Sequence, residues 1–125
     1  MFNEQFILLA NTVKDATTHG LLQWQKGKGL FSYESAFNNQ VLRVDKYFYG
    51  DEKLPCVNFS IFNAGKSELI SETVRCKDAV VVQEFDFLEG LYHTIELKYT
   101  QLQSEQFSPA LTALTASLQN KLQEQ

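Results

Sequence analysis

One histidine stands between two glutamates at helical spacing, and this group is the part of the sequence best suited to chemistry. Glu89 precedes His93 by four residues and Glu96 follows it by three, so a helix would bring all three side chains to one side. Two carboxylates and an imidazole can hold a metal ion or exchange protons. The same arrangement is typical of a solvated helix surface. We expect that plainer role here, and no metal site.

The other reactive residue types form no recognisable site. Cys56 and Cys76 are twenty residues apart with no neighbouring cysteine or histidine, which is not a zinc-binding spacing, so we expect two free thiols with packing roles. The segment from Asn63 to Ser67 ends like a phosphate-binding loop, but Ser60 stands where that motif requires its first glycine. We therefore expect a hairpin turn there, no cofactor and no catalytic residue.

Aromatic residues supply the candidate binding surface. Tyr47, Phe48 and Tyr49 are consecutive, and side chains alternate across a strand, so at least one of the three must point away from the core. Trp24 is the single tryptophan. It either anchors the first helix to the core or contacts a partner. These four residues are our candidate binding residues.

Three segments repeat apolar residues at helical spacing, and they must position these side chains. The central and longest repeat comprises Val81, Phe85, Leu88, Tyr92, Ile95, Tyr99 and Leu102. Shorter repeats comprise Phe2, Phe6, Leu9, Val13 and Ala16 near the start and Leu111, Leu114, Leu118 and Leu122 near the end. We expect a first helix to Thr18 with a glycine stop at Gly20, and a long helix from an N-cap at Asp78 to Leu102. Ser108 and Pro109 form an N-cap and first-position pair that predicts a separate last helix.

Between the first two helices the pattern changes to the alternation of strands. We expect extended segments over Leu21–Gln25, Leu30–Phe37, Gln40–Tyr49, Cys56–Phe62 and Ser67–Val74, the first of them short. Asn38 and Asn39 predict a hairpin turn, because asparagine tolerates positive φ. The predicted polar face of the sheet carries Arg43, Asp45, Asn58, Ser60 and Glu72. The fold class is therefore α+β: an antiparallel meander of about four strands, with an N-terminal helix and two C-terminal helices packed mainly on one face.

Composition limits the possible functions. The 125 residues form one domain, residues 1–125. The sequence contains no apolar run of about 18 residues, so we expect no membrane span. The N-terminal residues lack the features of a signal peptide, so we expect a cytoplasmic protein. Residues 1–77 carry nine basic and eight acidic residues, whereas residues 78–125 carry two and seven. Because no basic stripe is present, nucleic-acid binding is not expected.

Several short motifs together resemble a group of small, uncharacterised bacterial α+β domains. The matching residues are Gly20-Leu21-Leu22-Gln23-Trp24, Phe31, Ser60-Ile61-Phe62-Asn63 with Gly65, and Leu88 with Leu91-Tyr92. The resemblance covers about residues 6 to 99. It implies a bacterial source and carries no activity or catalytic residue to this chain.

The sequence favours a non-enzymatic protein-interaction module in the bacterial cytosol. Its partner would be another protein, including a second copy in a homodimer. Two alternatives stay open. One is a chaperone-like adaptor or immunity protein for a secreted partner, and the other is a small-ligand binder or enzyme with a pocket between sheet and helices.

Overall fold

A computed structural model describes residues 2–65, 67–75 and 82–124 of the chain. Its elements are α1 (Glu4–Thr18), β1 (Gln25–Lys26), β2 (Ser32–Phe37), β3 (Gln40–Tyr49), β4 (Leu54–Asn63), β5 (Glu68–Arg75) and α2 (Val82–Gln123). The strands lie in the order β1-β2-β3-β4-β5, and each pairs antiparallel with its neighbour. The predicted α+β meander is confirmed, with five strands because β1 adds a two-residue edge strand.

Both helices cover one face of the sheet. Val44 lies opposite Phe59 in the β3–β4 register, and Val57 lies opposite Val74 in the β4–β5 register. All four side chains are buried beneath the helices. The ring of Phe6 on α1 packs edge-on against Phe59, with 5.9 Å between centroids. Alternation along the strands thus directs one apolar row to the helices, as predicted.

The predicted inner face of α2 is also confirmed. Phe85, Leu88, Tyr92 and Ile95 are buried. Leu91 is buried too, although it lies beside this repeat, because α1 packs alongside α2 and covers a second strip of the helix.

Both ends of α1 have local hydrogen bonds that explain its length. The side chain of Asn3 accepts a hydrogen bond from the Phe6 amide at 2.7 Å and forms the N-cap. At the other end Gly20 has φ +75°. The Leu21 amide donates to the Ala16 carbonyl at 2.9 Å, and the Gly20 amide donates to the Thr17 carbonyl at 3.1 Å. This is a Schellman motif, and it confirms Gly20 as the helix stop.

The turns and the outer face agree with the sequence at all but one named residue. Asn38 and Asn39 have φ values of 50° and 62° in the β2–β3 turn. Arg43, Asp45, Asn58 and Ser60 share the outer face by their register. Glu72 does not: it lies opposite Phe59 and so faces the helix side. The prediction for Glu72 was wrong, because the strand-pairing register, which the sequence alone did not fix, sets the face of each β5 residue.

The two predicted C-terminal helices form one continuous helix. α2 runs for 42 residues and contains Pro109 in its interior. Ser108 and Pro109 do not begin a new helix, so the predicted break was wrong. A proline removes one helical hydrogen bond, here to the Glu105 carbonyl. Because Glu105 and Pro109 are both exposed, water can satisfy that carbonyl, and the helix continues. The predicted N-cap Asp78 and the apolar position Val81 lie outside the described residues.

Candidate functional site

Trp24 is enclosed by the core. Its side chain is buried, and Nε1 donates to the Thr17 hydroxyl at 3.0 Å. That hydroxyl in turn donates to the Val13 carbonyl at 2.8 Å. The indole therefore fastens the end of α1 to the segment before β1, which is the anchoring alternative. A direct role of Trp24 in binding stays a prediction. Its ring is buried and has no face open to a partner.

Tyr47, Phe48 and Tyr49 are all exposed at the end of β3. Phe48 lies on the helix side of the sheet, whereas Tyr47 and Tyr49 lie on the outer face. The guanidinium of Arg75 sits 3.5 Å from the Tyr49 ring centroid, which is a cation–π contact. The expected alternation is confirmed, and the three rings surround one corner of the sheet. Their role in binding stays a prediction.

Cys56 lies beneath this corner. It is opposite Tyr47 in the register and is fully buried. Burial raises the pKa of its thiol, and the nearby Arg75 only partly offsets that effect. The thiol is therefore protonated and enclosed, which suits packing and not nucleophilic chemistry. Cys76 lies outside the described residues.

The glutamate–histidine group lies where α2 crosses the end of β3. Lys46 Nζ donates to Glu89 Oε2 at 2.8 Å, and the Tyr92 hydroxyl donates to Glu96 Oε2 at 2.8 Å. His93 Nε2 is 3.9 Å from Glu89, and His93 Nδ1 is 3.8 Å from Glu96. Both distances exceed a hydrogen bond. The Lys46–Glu89 contact ties α2 to the sheet, whereas the Tyr92–Glu96 hydrogen bond lies within α2. His93 stays at the solvent side.

A shallow pocket adjoins this group. Its lining residues are Phe31, Lys46, Phe48, Tyr92, His93 and Glu96. Burial, followed by the hydrogen bond to Glu96, raises the pKa of Tyr92 well above its usual range. The phenol is thus a fixed donor and not a base. Within residues 2–65, 67–75 and 82–124, no group of three or more histidine, cysteine or acidic side chains could hold a metal ion.

A row of exposed apolar side chains lies on the second half of α2, which the sequence predicted to be a separate helix packed against the sheet. Every residue from 104 to 124 is exposed. We call residues 104–123 the distal segment. Its large apolar side chains form one row, each between 57 and 70% exposed. This row, the distal stripe, comprises Phe107, Leu111, Leu114, Leu118 and Leu122.

A shallow groove lies beside the distal stripe, is lined by α2 alone and includes two residues of the stripe, Phe107 and Leu111. Phe107, Leu111 and Thr115 are among its lining residues, and Pro109 is not. Pro109 lies on the opposite side of the helix, since two residues advance the helix by about 200°. Pro109 is therefore not part of the distal stripe.

Comparison with known proteins adds no second line of argument. No family model matches the chain, and the searches of curated proteins and of solved structures give no match either. Neither described helix contains a stretch long and apolar enough to cross a lipid bilayer.

Proposed function

We propose that this chain is a non-enzymatic protein-interaction module of the bacterial cytosol, and that the distal segment of α2 is its interaction element. The observation that carries the proposal is the distal stripe. Five large apolar side chains are exposed in one row on the second half of α2, beyond the part of the helix that packs on the sheet. A row of this kind marks a protein-binding surface.

The composition of the distal segment supports the same function. Residues 106 to 120 contain no charged side chain. Solvated surfaces carry roughly a quarter to a third of charged residues, so this stretch is unlike a surface that faces water permanently. A helix without tertiary contacts is also marginal at this length. A partner on the distal stripe would stabilise the segment.

The polar side chains at the shallow pocket between α2 and β3 give weaker support to a ligand site or an enzyme. Lys46 is already paired with Glu89, and Tyr92 is already bonded to Glu96. A ligand in the shallow pocket would meet side chains that satisfy one another. The adaptor and immunity-protein alternatives are special cases of the interaction module, because each needs a protein partner, and the identity of that partner separates them.

Photo-crosslinking in the native cell tests the proposal. A photoreactive amino acid replaces Leu114 on the distal stripe, and in a matched control it replaces Asn120 on the far side of the same helix. Both positions are exposed. We expect a protein adduct from position 114 and little or none from position 120. The absence of an adduct at both positions, or equal labelling at both, would contradict the proposal.

A further inference from the structure

We propose that the occupant of the distal stripe is a second copy of this chain, paired antiparallel with the first. This inference rests on the proposed function and names its partner. The two distal segments would form a short two-stranded coiled coil around a two-fold axis, the commonest symmetry of homodimers.

The apolar row moves to a different side of α2 after Leu102, so the distal stripe does not lie on the side of the helix that packs on the sheet. Up to Leu102 the apolar residues advance in steps of three and four, but the step from Leu102 to Phe107 is five residues. In an α-helix five residues advance the direction by about 140° beyond a full turn. The distal stripe therefore cannot continue the row that packs on the sheet of its own chain. Another surface has to cover it.

The lack of charge on the distal segment favours a second copy over a partner of opposite charge. The chain has a net charge of -4, and the acidic excess lies within residues 78–125, so two copies would repel each other where those acidic side chains met. Residues 106 to 120 are uncharged, so two copies can meet there without like charges in contact. A strongly basic or acidic partner would find no side chains of opposite charge next to the distal stripe.

Four of the five residues of the distal stripe fit a heptad repeat, and Leu122 lies at a flanking position. Phe107 and Leu114 occupy one seam position, and Leu111 and Leu118 occupy the other. The flanking positions hold Ser108, Ala110, Thr115 and Ser117, none of them charged. Pro109 falls on the outermost position, away from the seam. The missing helical hydrogen bond therefore faces solvent, and the pairing surface is uninterrupted.

Lys121 sets the direction of the pairing. It continues the seam one heptad after Leu114. In a parallel pair it would face the partner's Lys121, and like charges in contact destabilise. In an antiparallel pair Leu111 meets the partner's Leu114, Phe107 meets the partner's Leu118, and Lys121 reaches the partner's Ser104, next to the acidic Glu105. Only the antiparallel arrangement pairs every large apolar residue of the seam and separates the lysines.

A lipid surface fits the distal segment less well. Helices that lie on membranes carry lysine and arginine along their polar face to meet anionic headgroups. The distal segment carries one lysine, Lys121, and one glutamate, Glu105. Its polar face therefore lacks the charge that membrane attraction requires.

Spin-label distances measured on the full chain test the antiparallel register. Gln106, Ala113 and Asn120 lie seven residues apart on the face away from the stripe, and all three are exposed. Each is replaced by cysteine in turn, in a chain with Cys76→Ser, so that the buried Cys56 is the only other thiol. In the antiparallel pair the labels at 106 and 120 are offset along the axis by about 20 Å and the labels at 113 by about 2 Å.

We therefore expect the shortest distance between copies at position 113 and longer, similar distances at 106 and 120. Equal distances at all three positions would show a parallel pair and overturn the register. If no label position gives a measurable distance between copies, the proposal that a second copy covers the distal stripe is wrong. In that case a photo-crosslink from position 114 to a different protein would still support the proposed function. The absence of any photo-crosslink would contradict both the second copy and the proposed function.

Discussion

Tyr92 connects α2 to the sheet through several contacts. Its ring lies 5.8 Å from the ring of Tyr33 on β2, measured between centroids, and its hydroxyl donates to Glu96. The ammonium of Lys46 on β3 lies 5.8 Å from the Tyr92 ring centroid. The Tyr92 ring therefore packs α2 against β2 and β3, and Glu96, a residue that suggested chemistry in the sequence, accepts the hydrogen bond of its hydroxyl.

The raised pKa of Tyr92 predicts a loss of stability in alkali. Burial, as the main cause, raises the pKa of Tyr92 and of Tyr33 above the ordinary 10.0. Below that value both states of the chain keep these protons, so stability is unaffected. Above it the unfolded state loses protons first, and the free energy of unfolding falls by up to about 1.4 kcal/mol per pH unit for each tyrosine.

Urea unfolding measured from about pH 8 to about pH 11 checks this behaviour. Tyr92→Phe keeps the ring and removes the titrating group, so its stability should fall less steeply with pH. Tyr49→Phe, at an exposed tyrosine, is the control and should follow the parent chain. A Tyr92→Phe slope as steep as that of the parent would show that Tyr92 is not enclosed as described.

Leu88 on α2 has no exposed surface. Leu88→Ala leaves a cavity and is expected to lower the free energy of unfolding by about 2–5 kcal/mol. The control is Leu97→Ala, because Leu97 lies on the same helix and is largely exposed. Chemical denaturation measures both. Similar losses for the two variants would contradict the assignment of the buried face.

Gly90 has no structural need to be glycine. A Cβ at this position would meet nothing within 4 Å. Its φ is not positive. Gly90→Ala is therefore expected to raise the free energy of unfolding by about 0.5–1 kcal/mol, since alanine loses less backbone entropy in a helix. A loss of stability in chemical denaturation would mean that a neighbour approaches this face.

The apolar repeats of α2 predicted the helix itself, but they predicted its packing partner for only one half. The repeat containing Leu88 and Ile95 predicted a helix and its buried face correctly, because one face meets the sheet. The repeat containing Leu111 and Leu118 predicted a helix equally well. It could not show whether that face packs on the same chain or on another, since both give the same spacing. Ser108 and Pro109 were misinterpreted because proline is most favoured in a first helical turn, whereas here it lies in a helix interior at an exposed position, where water can satisfy the freed carbonyl.

Two substitutions separate one continuous helix from two helices. In the continuous helix Pro109→Ala restores a hydrogen bond to Glu105 and should increase helicity and slow amide exchange around residues 105 to 113, since proline costs about 3 kcal/mol in a helix interior. Ser108→Ala should be nearly neutral. If Ser108 instead caps a separate helix, Ser108→Ala would cost about 1 kcal/mol and Pro109→Ala would change little. Circular dichroism and hydrogen exchange distinguish these outcomes.

The molecule consists of a body and an arm. The body comprises the sheet, α1 and the first half of α2. The arm is the distal segment, which extends the helix by about 30 Å beyond the body. The buried apolar side chains all belong to the body, so the arm adds little to its stability and is free to bind. The outer face of the sheet carries polar side chains bonded to one another, such as Asn58 to Thr73 at 2.9 Å.

Sedimentation equilibrium of the full chain at rising concentration tests the central claim, that the distal stripe is the interface between two copies. We predict that the parent chain moves from 14.3 kDa to twice that mass. Leu111→Gln with Leu118→Gln should stay at 14.3 kDa and keep the unfolding transition of its body. The matched control, Gln106→Ser with Asn120→Ser on the far side of the helix, should dimerise like the parent. A parent chain that stays at 14.3 kDa at every concentration, or a stripe variant that still dimerises, would contradict the claim.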